Sequence, residues 1–214
     1  LGVTSAARRA WWIAPAVLAA GLAAAVAVIL HPLPDRTPFE YGLLYPARRY
    51  EQALPLVGLG FAIAWTRTRL SVLLSYALLT LGIGVGAVLA SVIAAAISAG
   101  ANLIGYLYLL APACAVATGI ALVAPRPLRA FLVAVASLMS GALLGLLINI
   151  SDPSTEEQTF AAGAVLCGAW LVTVAFLFWR QLEQPWFPIA GRILGGWLIA
   201  VGALLAALHL IPPR

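Results

Sequence analysis

Lysine is missing from this chain: all 12 basic residues are arginine. A seven-helix retinal protein needs a lysine amine for its Schiff base, so that class is excluded. Charge of either sign is scarce, with Asp, Glu, Lys and Arg making up 9% of 214 residues. The two cysteines, Cys114 and Cys167, form no CxxC or Cys/His metal motif and read as small packing residues. Both aspartates, Asp35 and Asp152, fall between apolar runs, so no intramembrane aspartyl dyad exists. The mid-depth carboxylates, arginine ladders and buried ion pairs of proton relays and voltage sensors are also missing, which disfavours an ion-driven pump on the usual plan.

What the chain has instead is apolar length. Hydrophobic residues are 64% of the total and mean hydropathy is +1.04. A soluble protein of that composition would lack the polar surface to stay in solution. Seven stretches approach the roughly 20 apolar residues an α-helix needs to cross a bilayer. The expected fold is an all-α, polytopic transmembrane bundle in one domain over residues 1–214, with spans near 11–30, 53–65, 70–90, 103–124, 130–150, 160–179 and 189–211.

The first span follows Arg8 and Arg9 and reads as an uncleaved signal anchor, its apolar core being longer than that of a cleavable signal. Residues 31–52 are polar and contain prolines, and read as an outer-face loop or re-entrant segment, with Tyr41 to Pro46 apolar enough to lie at the interface. A second apolar run continues beyond residue 90 to Ser98, so the third span has an open end. Pro112 predicts a kink in the fourth.

Arginine placement sets the expected orientation. With the N-terminus in the cytoplasm, that side collects Arg8, Arg9, Arg67, Arg69, Arg126, Arg129, Arg180 and Arg192, while Arg36, Arg48, Arg49 and Arg214 lie opposite. The positive-inside rule favours this arrangement. Scattered in pairs at span ends, these arginines speak for topology and against nucleic-acid binding. Trp11, Trp12, Trp65, Trp179 and Trp186 lie at span ends as interfacial anchors, and Trp197 lies deeper. Ser137, Gly141 and Gly145, like Gly191 and Gly195, recur every four residues, a spacing that lets helix backbones approach closely in lipid.

Chemistry-bearing groups are few. His31 follows the first span and His209 lies near the end of the last, so both reach one membrane face. With Glu51 or Asp35 they offer a metal or quinone site, against the plainer reading of hydrated interfacial histidines. The membrane serines Ser71, Ser75, Ser137 and Ser140 have no mid-membrane histidine to activate them, which disfavours a protease. No nucleophile–base pair, phosphate loop or cofactor fingerprint is present in the sequence, so the expectation is a non-enzyme without a cofactor.

The stretch Tyr41–Ala62, YGLLYPARRYEQALPLVGLGFA, resembles the HupE/UreJ family, whose pattern there is roughly GLLHPxxGxDHLLAMxxVGLxA. Gly42, Leu43, Leu44, Pro46, Val57, Gly58 and Leu59 match, and His31-Pro32 looks like the family's His-Pro after the first apolar run. Val116, Gly119, Ile120 and Ala121 fit a GxExGIA-type helix, and Gly141 and Gly145 keep the glycines of FHGxAHG. The closing GRILGGWLIAVGALLAAL resembles the family's last helix.

The resemblance implies a membrane bundle linked to nickel or cobalt uptake or to hydrogenase and urease maturation. It also implies a damaged metal path. Tyr45, Gln52, Ser140 and Leu144 stand where the family has histidines, and Ala117 where it has an acid. Only Glu51 keeps a carboxylate at a motif position. The expectation is therefore an accessory or structural subunit of a larger complex in a bacterial inner membrane, surrounded by lipid and other membrane subunits. The alternative is a divergent permease for nickel, cobalt or another small solute, using His31, Glu51, Tyr45 and His209.

Overall fold

The computed structural model describes residues 13–30, 32, 36–66, 68–99, 107, 109–146, 155–181 and 186–210. Eight helices are described: α1 (Ile13–Leu30), α2 (Pro38–Arg48), α3 (Tyr50–Ala64), α4 (Arg69–Ser98), α5 (Leu110–Val123), α6 (Arg126–Gly145), α7 (Thr155–Gln181) and α8 (Phe187–Leu210). No strand occurs among the described residues. Helices α4, α6, α7 and α8 are long and apolar enough to cross a membrane, while α1 and α5 are apolar but shorter over their described lengths.

The third expected span was open-ended, and α4 resolves it by running unbroken to Ser98 over 30 residues. At 1.5 Å per residue it is about 45 Å long, more than the roughly 30 Å hydrocarbon core. Its outward face is a stripe of Leu70, Leu73, Leu74, Leu81, Val85 and Val88, all exposed. Such a surface suits lipid rather than water.

The 31–52 segment contains a helix, α2. Thr37 caps it: its hydroxyl accepts the Glu40 N–H at 3.4 Å, and the Glu40 carboxylate accepts the Thr37 N–H at 2.7 Å. This reciprocal arrangement satisfies two donors that a helix start leaves open. The chain leaves helical geometry at Arg49 (φ −96°, ψ 95°) and re-enters it as α3, so α2 and α3 are two helices in direct succession, both packed along α7. Gly42 and Gly163 make the α2–α7 crossing possible, since a Cβ on either would collide with backbone of the other helix.

Helix α3 is short, yet it is the centre of the bundle. Leu56, Leu59, Ala62 and Ile63 have no exposed surface. They join Leu79 of α4, Leu122 of α5, Val133 and Leu144 of α6, Val172 of α7 and Leu198 of α8 in one apolar cluster. Around this centre the long helices pair through small residues. Gly82 and Gly86 of α4 lie directly against the Leu138 and Ala142 carbonyls of α6, and Gly141 and Gly145 answer against Leu79 and Ile83. Gly119 and Gly195 do the same between α5 and α8. Gly84 faces open space, so only two of the three α4 glycines serve packing. Helix α1 stands at the margin, tied to α7 by the Trp170 indole N–H donating to the Val17 carbonyl at 3.0 Å.

Candidate functional site

Two cavities open near opposite ends of the described bundle. The first lies where the α2–α3 break meets the C-terminal ends of α4 and α6, and encloses about 420 Å³. Tyr45, Arg49, Glu51 and Gln52 form its polar side, and its other wall is apolar, with Ala90, Ile93 and Ile97 of α4, Leu107, Ala111 of α5, and Leu143 and Leu146. Three of the motif positions, Tyr45, Glu51 and Gln52, therefore come together at the cavity because they flank the interruption of helical geometry at Arg49.

Their interactions are local. Arg49 Nη1 lies 3.1 Å from Glu51 Oε1, with the arginine side chain 56% and the glutamate 23% exposed. The Arg49 guanidinium also sits over the Tyr45 ring, 5.6 Å from its centroid. Tyr45 in turn meets Phe160 of α7 edge-on, with centroids 5.3 Å apart. The Glu51 carboxylate thus faces a cation of its own chain, which offsets the negative charge a divalent metal would seek. The Gln52 carbonyl oxygen is buried with no hydrogen-bond partner.

The remaining motif positions lie elsewhere. Ala117 packs on the central cluster, and Leu144 is part of it, 1% exposed and against Gly168. Ser140 is fully buried and its hydroxyl has no partner, as is the case for Thr118. His209 is exposed near the end of α8, where its Nδ1 lies 2.7 Å from the Leu205 carbonyl oxygen. It does not line the cavity. His31 and Asp35 lie outside the described residues. Among the described residues, no three His, Cys, Asp or Glu side chains come together as a metal-binding group.

The second cavity, of about 400 Å³, was not anticipated. It forms where α3 ends and α4, α6 and α8 begin, and its lining includes Trp65, Thr66, Thr68, Ser71, Arg126, Arg129 and Arg192. The arginines had been assigned to topology alone. The available signal was the Arg-Pro-Leu-Arg turn, which places two guanidinium groups three residues apart on one helix face. The approach of Arg192 comes only from the folding of α8 against this corner. Comparison with protein-family models, with curated proteins and with solved structures finds no match for the chain.

Proposed function

We propose that this chain is a non-catalytic, HupE/UreJ-like membrane protein that serves as an accessory or structural subunit of a larger membrane complex, its capacity to move metal lost. In this reading it spans a bacterial inner membrane seven times, with its N-terminus in the cytoplasm. The observation that carries the reading is the Arg49–Glu51 pair at the cavity beside α2. A metal path needs successive donors to replace the hydration shell of the ion. Here the motif carboxylate is engaged by a guanidinium, and the cavity's other polar groups are a phenol and an amide. The long exposed apolar faces of α4 and α8 accept lipid or the helices of other subunits equally well.

One observation favours the second reading, a divergent permease for nickel, cobalt or another small solute. The same cavity is large enough for a small polar solute, and the buried Gln52 oxygen has no protein partner. Tyr45 and Glu51 are the candidate contacts in this cavity; of the other two candidates of the sequence, His209 does not line it and His31 lies outside the described residues. Uptake of labelled nickel and cobalt by cells expressing the chain separates the two. The subunit reading expects no uptake above the empty-vector level, and no change in Glu51→Gln or His31→Ala. Uptake that Glu51→Gln abolishes would replace it with the permease.

A further inference from the structure

The cavity at the start of α4, α6 and α8 gathers positive charge from three sources. Arg126 and Arg129 come from the first turn of α6, and Arg192 comes from α8. Arg129 experiences the charges of both Arg126 and Arg192, so the three groups share one field. No Asp or Glu lines the cavity among the described residues, and none there forms an ion pair with these arginines. The first turns of three helices also meet here, through Thr68 and Ser71 of α4, Arg126 of α6 and Pro188 of α8. Their dipoles add partial positive charge at the same place.

Three guanidinium groups repel one another, and nothing on the described chain offsets them. Yet Arg129 is held firmly. Its Nη2 donates to the Ala124 carbonyl at 2.9 Å, and its guanidinium carbon lies 4.4 Å from the centroid of the Trp65 ring. Its Nε is buried and has no hydrogen-bond partner. A guanidinium fixed by stacking and by one backbone hydrogen bond, its other Nη N–H groups having no partner on the described chain, is preorganised for an acceptor that the protein does not supply. Thr68 and Ser71 share one hydroxyl–hydroxyl hydrogen bond, which leaves one of the two O–H donors for a ligand.

We propose that this cavity binds a phosphate-type oxyanion, with Arg129 as the fixed anchor and Arg126 and Arg192 closing on it from the exposed rim. Phosphate presents several acceptor oxygens and full negative charge, which suits three forked donors better than a carboxylate does. The group can arrive on an anionic phospholipid headgroup, since basic pockets between membrane helices accept such headgroups, or on a soluble phosphate. The aromatic residues around this corner, Trp65 with Trp179 and Trp186 beside Phe187, have the amphipathic character of a membrane interface.

The test uses the full chain purified in a neutral detergent and phosphate-free buffer. Inorganic phosphate is titrated against thermal unfolding, with chloride at matched ionic strength as control. In parallel, native mass spectrometry counts lipids retained from mixed micelles of phosphatidylglycerol and phosphatidylcholine. Stabilisation by phosphate assigns the site to a soluble source. Selective retention of phosphatidylglycerol without a phosphate response assigns it to a headgroup. In either case Arg129→Gln and Arg192→Gln should weaken binding by roughly tenfold or more, while Arg180→Gln, outside the cavity, should not. Arg192 is exposed, so its variant tests the site even where Arg129→Gln fails to fold. No response of the wild-type chain to either probe overturns the proposal. So does an equal loss in Arg180→Gln and the cavity variants.

Discussion

The guanidinium of Arg129 stacks on the indole of Trp65 at 4.4 Å, joining the first turn of α6 to the end of α3. The same indole lies against Gly191 of α8 and meets Trp179 of α7 edge-on, 6.1 Å between centroids. One side chain thereby ties four helices at a single corner. Trp65→Ala should lower unfolding stability by about 2–4 kcal/mol through lost packing and cation–π contact. Trp65→Phe should lose less, because it keeps a ring under Arg129. Denaturation followed by tryptophan-independent circular dichroism checks both, and equal losses would argue against the stacking.

The α4–α6 contact depends on backbone proximity at Gly82 and Gly141. Gly82→Leu or Gly141→Leu should force the helices apart and destabilise the bundle severely, by more than about 3 kcal/mol. Gly84→Leu, two residues away on the open face, should be nearly neutral. Comparing unfolding temperatures of the three variants tests the pairing directly.

Thr118 is fully buried and its hydroxyl has no partner. The Thr-to-Val change usually loses a hydrogen bond, but here it removes an unpaired polar group. Thr118→Val should therefore leave stability unchanged or raise it by about 1 kcal/mol. A clear loss in the same denaturation assay would mean that the hydroxyl serves a bound water or ligand.

The Trp170–Val17 hydrogen bond ties α1 to α7. Trp170→Phe should loosen α1 with little effect elsewhere, a change of about 1 kcal/mol. Hydrogen exchange by mass spectrometry should show faster exchange in residues 13–30 and unchanged exchange in α3. Uniform acceleration would show that α1 unfolds with the core.

The apolar runs were legible because burial in lipid imposes length, and length is visible in a sequence. Helices α4, α6, α7 and α8 lie over four of the apolar stretches, with α4 running on to Ser98 past the expected end near residue 90, and the four-residue spacing of Gly141 and Gly145 marks the face that meets α4. Helix α2 was less visible, since Pro46 within it and the charges around it resemble a loop. The sequence also gave no sign that α3 is central. Its 15 residues look like a marginal span, and only contacts with five other helices make it the core. At the candidate sites, Tyr45, Glu51 and Gln52 were identifiable from the motif, but the pairing of Glu51 with Arg49 follows from the break between α2 and α3. The arginine cavity was hidden because Arg192 is far from Arg126 and Arg129 in the chain.

The role proposed above, one subunit of a larger membrane assembly, is open to direct measurement. Native mass spectrometry after mild detergent extraction from the source membrane tests it most directly. The expected result is a reproducible particle far heavier than the 22.3 kDa chain, containing other identified polypeptides in fixed ratio. A lone chain or homo-oligomer that retains and transports nickel or cobalt would contradict it.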